Sequence, residues 1–251
     1  MSLRSYLGFL TNCSSLEELW EAHTTKMAQF GFDRLIYGFT RYRTHDSLGD
    51  PDDFIILTNH SQSYIDVFLG EQKYNDAPMV KWAQTHDGAA SWDIIEQMYT
   101  ARTMTKAEER FFHFNQQNQV TAGYTISFRS VSQRSKGAIA LTARTGLSQC
   151  DVNAIWAEHG EDIHLMNNIA HLKILTLPYN APARTLTKRQ RETLEWVGDG
   201  KTTQEIATLM GLTPPTVEKH LRLAREALAV DTTAQAVLKA AFSNQMFTQR
   251  L

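Results

Sequence analysis

The basic side chains within residues 211–228 have the type and spacing that suit contacts to negatively charged groups. The stretch reads GLTPPTVEKHLRLAREAL and carries Lys219, Arg222 and Arg225 after two consecutive prolines. Proline is tolerated in the first turn of a helix, where backbone N–H groups have no intrahelical partner. The prolines therefore predict a helix with a fixed start, whose basic groups can contact phosphates or base edges.

The same stretch has the two faces of an amphipathic helix. Thr213 is expected as the N-cap, with Pro214 and Pro215 as the first two helical positions. Apolar residues recur at i, i+4, i+7 and i+11 and form one buried stripe: Val217, Leu221, Ala224 and Leu228. Taken alone, this pattern also fits an ordinary surface helix.

The residues around this helix favour a helix-turn-helix. In TTQEIATLMGL, a threonine at 202 or 203 can cap a helix that Gly211 ends. Two short helices joined by a tight turn form the unit whose second helix enters the major groove. One further helix is expected from Thr187 and a fourth from TTAQAVLKAAFSNQM. The pattern predicts an all-α, four-helix domain over residues 185–251.

The polar residues of this domain are the predicted contacts to duplex DNA. Lysines and helix starts suit phosphates, whereas an arginine or a glutamate suits base edges. The predicted DNA-binding residues are Lys201, Thr202, Thr216, Glu218, Lys219 and Arg222. Residues 184–251 carry ten Lys or Arg and seven Asp or Glu, net +3, whereas residues 1–183 carry fifteen and twenty, net −5. The charge supports this assignment modestly.

This region resembles the C-terminal DNA-binding domain of LuxR-type regulators. The resemblance runs without a gap from 186 to about 228, on Leu186, Thr187, Arg189, Glu192, Leu194, Gly200, Lys201, Thr202, Glu205, Ile206, Ala207, Thr216, Val217 and His220. Thr233 stands where the family usually has arginine, and Gln190 replaces a usual glutamate. The resemblance implies a transcription regulator. Paired half-sites need paired recognition helices, so a homodimer on two-fold sites is expected.

Residues 1–176 alternate helical and strand patterns. Helices are expected from SSLEELWEAHTTKMAQFGF, SQSYIDVFL, APMVKWAQTH and TKAEERFFHFNQQN, and a long one from roughly 149–175. Strands are expected from RLIYGFTRYR and DFIILTN, and a hairpin from GYTISFRSV and KGAIALTAR. This predicts an α+β domain, an antiparallel sheet with helices on both faces in an α-β-α sandwich. LPYNAPAR, 177–184, is expected to be the interdomain linker.

The sequence contains no catalytic constellation, cofactor motif or metal-ligand spacing. It lacks G-x-S-x-G, a glycine-rich phosphate loop and H-E-x-x-H. Cys13 and Cys150 are its two cysteines, without C-x-x-C spacing, which fits the reducing cytosol. No signal peptide or membrane-length apolar run is found. A cytoplasmic sensor without enzyme activity, cofactor or membrane partner is therefore predicted.

Residues 58–92 resemble the autoinducer-binding domain of the same family. Pro78, Trp92 and Gly123 match residues usual there. The resemblance implies a closed cavity for an acyl-homoserine lactone. In the family, a tryptophan donates to the lactone carbonyl, a tyrosine bonds an acyl-chain carbonyl, and an aspartate accepts from the amide N–H.

Those three polar positions are changed in this chain, to Tyr64, Phe68 and Ala77, with Asp76 one residue before the last. Tyrosine keeps a donor, phenylalanine has none, and alanine removes the charged acceptor. A buried amide N–H without a partner costs roughly 1–3 kcal/mol. A pocket for an unusual lactone or another small apolar signal is predicted, lined by Tyr64, Phe68, Asp76, Trp92, Phe112 and Thr125. The alternative is that these substitutions have no functional effect and that the residues pack a core without a ligand.

The long helix and the last helix are the expected dimer surfaces, the latter with Val237, Leu238, Ala241 and Phe242. Three other readings stay open: a response regulator with the same output domain, an enzyme with an attached DNA-binding domain, and a ligand-independent dimeric regulator. The antiparallel hairpin and the lack of an acidic cluster argue against the response regulator. Turnover of a small molecule by residues 1–176 would favour the enzyme.

Overall fold

The chain forms two compact units in the computed structural model, which describes residues 2–45, 47–179 and 184–247. The first unit takes in residues up to Asp50 and Phe54–Leu175, and the second takes in Pro51–Asp53 and residues from Thr176 onward. The predicted linker at 177–184 includes residues 180–183, which lie outside the described residues. Its boundaries stay a prediction.

A five-stranded antiparallel sheet forms the centre of the first unit. Its strands are β1 Phe32–Thr40, β2 Ile55–Thr58, β3 Gly88–Ser91, β4 Gly123–Phe128 and β5 Lys136–Ala143. They lie in the order β2-β1-β5-β4-β3. The helices are α1 Leu3–Asn12, α2 Leu16–Ala28, α3 Gln62–Ile65, α4 Pro78–Thr85, α5 Asp93–Thr100, α6 Lys106–Gln117 and α7 Gln149–Ile174.

Side chains alternate between the two faces of this sheet, as they must in extended strands. Tyr37 in β1 turns to α7, where its hydroxyl lies 2.8 Å from Nδ1 of His171. Gly38, the next residue, faces the opposite side together with Ala138, its partner in β5. One face of the sheet therefore packs against a dense helical layer, while the other borders a cavity.

A buried polar chain ties α1, α2 and α7 together. Asn167 Nδ2 donates to the carbonyl of Ile163 (2.7 Å), so its Oδ1 accepts from His23 Nε2 (3.0 Å). His23 Nδ1 then accepts from the hydroxyl of Tyr6 (2.7 Å). The hydroxyl hydrogen of Tyr6 has its acceptor in this series only while His23 is neutral. Burial lowers the pKa of His23 to about 4, which keeps it neutral.

A second histidine, His171, closes the helical layer against the sheet. Its ring stacks on Phe128 with centroids 4.1 Å apart, and a Cβ on Gly137 would lie 3.0 Å from its Cε1. Burial, and secondarily the charge of Arg41, lowers the pKa of His171 to about 4. It is thus a neutral acceptor for Tyr37 rather than a catalytic base.

The second unit contains four helices: α8 Lys188–Gly198, α9 Thr203–Met210, α10 Pro214–Leu228 and α11 Thr233–Phe242. Capping boxes start α8 at Thr187, α9 at Thr202 and α11 at Thr232. In each box the N-cap hydroxyl accepts from the backbone N–H three positions on, and the side chain at that position accepts from the N-cap N–H. One apolar core joins the four helices, centred on Leu194, Ile206, Val217, Leu221, Ala224, Leu228, Ala236 and Ala240.

The predicted fold class is confirmed, but three elements were not expected. α1 contains a glycine, Gly8, and buries only Tyr6 and Leu10, too few for a clear helical pattern. β3 reads GAAS, without the branched residues typical of strands, and pairs with β4 as an edge strand. α5 is short and buries no residue completely. These elements depend on their neighbours more than on their own sequence.

Candidate functional site

The floor of the cavity is made of small residues at the centre of the sheet. Gly38 pairs with Ala138, and Ile36 pairs with Ala140, so three of these four residues project little or nothing above the strands. A Cβ added to Gly38 would meet only the Cδ1 of Ile56, at an ordinary 3.6 Å. The missing side-chain volume leaves a cavity of about 160 Å³.

Aromatic rings form the roof over this floor. The buried rings that line it are Phe54, Tyr64, Phe68, Tyr74, Trp92 and Phe111. The ring of Tyr64 stacks on His60 (4.8 Å between centroids) and on Phe114 (5.1 Å). Rigid stacked rings resist collapse onto the small floor residues, which keeps the cavity open.

The wall of the cavity follows β5. It includes Lys136, Ala138, Ala140 and Thr142, which are alternate residues of one strand. Six residue steps at about 3.3 Å each span about 20 Å. This stretch of wall is long enough to contact an extended ligand chain.

Few polar atoms reach the cavity, and several are already bonded. The hydroxyl of Tyr64 donates to Oδ1 of Asn115 (2.9 Å), and Nε1 of Trp92 donates to Oγ1 of Thr125 (2.9 Å). Within the described part of the chain, Nδ2 of Asn115 and the hydroxyl hydrogen of Thr125 have no acceptor. The cavity therefore offers hydrogen-bond donors to an acceptor group on a ligand.

The cavity wall carries no free charge among the described residues. Burial, and secondarily the charge of Arg34, lowers the pKa of His60 to about 4, so this imidazole is neutral. The Nζ of Lys136 is bound by Oδ1 of Asp87 (2.6 Å) and by the carbonyl of His86 (3.0 Å). An ionised ligand would lose its hydration without gaining a counter-charge here.

Four of the six predicted pocket residues line the cavity, namely Tyr64, Phe68, Trp92 and Thr125. Tyr64 was expected to offer a donor to a ligand, but Asn115 already accepts its hydroxyl hydrogen. Ala77, at the position of the family's aspartate, also lies in the wall and is 4% exposed.

The structure does not bring Asp76 or Phe112 to the cavity. Asp76 ends the 3₁₀ turn Lys73–Asp76, in which successive side chains point about 120° apart. Tyr74 of this turn and Ala77 after it line the cavity, whereas Asp76 does not. The ring of Phe112 stacks on Tyr99 (4.3 Å) on another side of α6, and Phe111 takes its place.

The sequence reasoning missed most of the cavity wall, including His60, Phe111 and Asn115. Phe111 and Asn115 are four residues apart on α6, so they share one face of that helix. Their spacing was the available signal, but it does not show which face turns inward.

Gly123 is required by close packing at the edge of the cavity. An ideal Cβ at this position would lie 2.3 Å from the carbonyl oxygen of Leu141 and 3.0 Å from the ring of Trp92. The backbone N–H and carbonyl of Gly123 also bond the side chain of Gln149. A larger residue would displace either the β4–β5 pairing or the tryptophan of the cavity wall.

The second unit contains the predicted helix-turn-helix. Pro214 and Pro215 occupy the first two positions of α10, and Gly211 ends α9 in the left-handed conformation at φ 65°. Thr213 is the N-cap, but its hydroxyl contacts the hydroxyl of Thr216 (2.9 Å) instead of a backbone amide. The N–H of Thr216, the position that the other caps of this unit use, instead bonds the carbonyl of Thr213 (2.9 Å).

The predicted DNA-binding residues surround the starts of α9 and α10. Lys201, Thr202, Glu218, Lys219 and Arg222 are exposed, whereas Thr216 is half-buried. The hydroxyl of Thr202 donates to Oε2 of Glu205 (2.8 Å) as part of the α9 cap, so Thr202 is occupied in capping. The guanidinium of Arg222 pairs with Glu226 one turn further along α10.

Within the described residues, no group of three or more His, Cys, Asp or Glu side chains could hold a metal ion. The same part of the chain has no helix with the length and apolar character needed to cross a bilayer.

Comparisons with known families match both units. Residues 15–174 match the model of the autoinducer binding domain, and residues 184–240 match that of the bacterial regulatory proteins of the luxR family. The transcriptional activator protein AnoR of Acinetobacter nosocomialis is 23% identical over 229 residues, covering 89% of this chain and 90% of AnoR. LuxR of Aliivibrio fischeri is 21% identical over 194 residues, 75% of this chain and 73% of LuxR.

A solved structure has the same fold in its matched part. It is CepR2 of Burkholderia cenocepacia, an N-acylhomoserine lactone-dependent LuxR family transcription factor, with a TM-score of 0.51 at 15% identity. The match covers 68% of this chain and 92% of CepR2. The matched families contain transcription regulators, which confirms that this chain is not an enzyme. The chain belongs to the autoinducer-binding transcription regulators of the LuxR family.

Proposed function

We propose that this regulator responds to an uncharged and largely apolar ligand that lacks the acyl amide of the family's lactones. The observation that carries the proposal is the neutral cavity in which Ala77 replaces the charged acceptor. An amide N–H buried against Ala77 and Phe68 would have no partner, at a cost of roughly 1–3 kcal/mol. A ligand without this N–H avoids that cost.

The free donors of the cavity specify the polar part of the ligand. Nδ2 of Asn115 and the hydroxyl of Thr125 both suit an oxygen acceptor such as a ketone, ester or lactone carbonyl. The small floor residues Ala138 and Ala140 leave room for an apolar chain along β5. The proposed ligand class is thus a neutral carbonyl compound with an apolar chain.

Filling the floor with Ala140→Leu is expected to abolish ligand binding, because the larger side chain projects into the cavity. Native mass spectrometry of protein purified from its own host should find a neutral small molecule on the wild type and none on the variant. Reporter activity should fall with the loss of the ligand.

The control for this substitution is Ala101→Leu, the same change at an exposed position after α5. It should keep both ligand and activity. An Ala140→Leu variant that stays folded and remains as active as wild type would instead favour a ligand-independent regulator. A charged ligand on the wild type would contradict the proposed class.

The regulator is also proposed to bind two-fold promoter sites as a homodimer in the cytoplasm. Two helices present apolar side chains to solvent: α11 with Leu238 (54% exposed) and Phe242 (42%), and α7 with Leu165 (43%) and Leu172 (59%). Exposed apolar side chains that share one helix face, such as Leu238 and Phe242, are typical of interfaces. Sedimentation of the full chain should show a dimer that Leu238→Lys weakens. A monomer at micromolar concentration would contradict the proposal.

A further inference from the structure

The exposed face of α10 carries an acidic residue among its basic ones. Its buried stripe, from Val217 to Leu228, leaves Glu218, Lys219 and Arg222 on the solvent side. Glu218 is the fifth residue of the helix, within the N-terminal part that reads base edges in helix-turn-helix proteins. A carboxylate there faces the phosphate field of the duplex, so its presence needs a compensating contact.

The Glu218 carboxylate is held in place by the neighbouring helix. Oγ1 of Thr203, the first residue of α9, donates to Oε1 of Glu218 (2.8 Å). Within the described residues, Oε2 of Glu218 has no hydrogen-bond or ion-pair partner. One oxygen thus fixes the side chain while the other stays free, which lowers the entropy lost when a second contact forms.

Among the base edges of the major groove, cytosine fits this carboxylate best. Cytosine presents an amino donor at N4, whereas guanine presents the acceptors N7 and O6 and thymine the acceptor O4. Adenine has an amino group, but the adjacent N7 acceptor repels an anion. Resting on the proposed DNA binding by a dimer, we propose that Glu218, positioned by Thr203, selects a cytosine in each half-site.

The neighbouring residues fit this assignment. Arg222 lies four residues on, one turn along the same face, and its pairing with Glu226 orients the guanidinium. Arginine suits the two acceptors of guanine. Lys219, next to Glu218, is exposed and suits a phosphate. Each half-site is thus expected to contain a cytosine read by Glu218 near a guanine read by Arg222.

The test is selection of duplex sites by the full-length protein purified from its own host, from a library with randomised two-fold half-sites. Competition titrations then compare the selected site with variants changed at one base pair. Wild type should lose about tenfold or more in affinity when the cytosine is replaced. Glu218→Gln should lose this discrimination and shift toward adenine, whose N6 and N7 pair with an amide.

Two further variants separate base reading from a structural role. Thr203→Val keeps the carboxylate but removes its tether, so discrimination should fall at the cytosine alone. Glu226→Gln, a matched carboxylate-to-amide change on the same helix, should leave the preference at the cytosine unchanged.

The outcomes are distinct. Selection of no site by wild type would refute DNA binding itself. Selection of a site at which folded Glu218→Gln keeps every base preference of wild type would overturn the role of Glu218 alone.

Discussion

The first unit is expected to lose about 3 kcal/mol of its free energy of unfolding for each of two buried histidines as the pH falls from about 6.5 to about 4. Burial lowers the pKa values of His23 and His171 to about 4, and His60 in the cavity wall, lowered in the same way, adds to the same trend. In the unfolded chain each has its ordinary pKa near 6.5. Protons therefore bind the unfolded chain first. The stabilisation is complete above pH 6.5 and is lost on acidification.

The structure explains why neither histidine accepts a proton readily. Nδ1 of His23 accepts from Tyr6, and Nδ1 of His171 accepts from Tyr37. Protonation would turn Nδ1 into a donor, leave the tyrosine hydroxyl hydrogen without its acceptor and place a charge in a dry layer. Since a domain has only about 5–15 kcal/mol of stability, the combined loss is a large share of the total.

The measurement is urea unfolding of the full chain at a series of pH values, followed by tryptophan fluorescence. Four of the five tryptophans lie in the first unit: Trp20, Trp82, Trp92 and Trp156. His23→Gln keeps an acceptor for Tyr6 and a donor for Asn167 but does not titrate in this range. Its stability should fall less steeply with acidification, by up to about 1.4 kcal/mol per pH unit. An unchanged slope would show that His23 is already protonated or exposed.

The C-terminal domain was predictable from sequence because its signals are local. Caps act over three residues, prolines mark the start of α10, and Gly211 marks the end of α9. Tyr64 and Trp92 were assigned to the cavity through the resemblance to a family pattern rather than through local signals.

The buried network and the exact cavity wall depend on contacts between distant residues. His23 and Asn167 are 144 residues apart in sequence, and no local pattern joins them. Phe111 and Phe112 are adjacent phenylalanines, and only the packing of α6 decides which one lines the cavity. The sequence shows which residues share one face of a helix, but the packing of the whole domain decides which face turns inward.

Common acyl-homoserine lactones are expected to bind the unmodified protein weakly. Ala77 and Phe68 lie in the wall without polar groups, and Asp76 lies outside it. The lactone amide would therefore be buried without its acceptor, which costs roughly 1–3 kcal/mol, or about tenfold to a hundredfold in affinity. This expectation can be reversed by restoring the family's polar groups.

Ala77→Asp combined with Phe68→Tyr and Tyr64→Trp is expected to recover about 1–3 kcal/mol of binding free energy. Ala77 is the N-cap of α4 and makes no side-chain cap bond. An aspartate there would lie beside the N–H of Met79 at the positive end of the helix, which offsets part of the cost of burying its charge. Tyr64→Trp sacrifices the bond to Asn115, so it should contribute least. Each change alone should give less than its share, because adjacent polar groups couple.

Calorimetric titration with lactones of several chain lengths measures this gain. Ala77→Ser is the matched control, since serine caps a helix but adds no charged acceptor. Melting without ligand reports the capping effect, which Ala77→Ser and Ala77→Asp should share, whereas only the aspartate should raise lactone affinity. Nanomolar binding of an ordinary lactone by the unmodified protein would mean that another group, such as Asp76 after rearrangement or a bound water, accepts the amide N–H. In that case the alanine at 77 would not set the ligand preference, and the ligand class proposed for the cavity would be wrong.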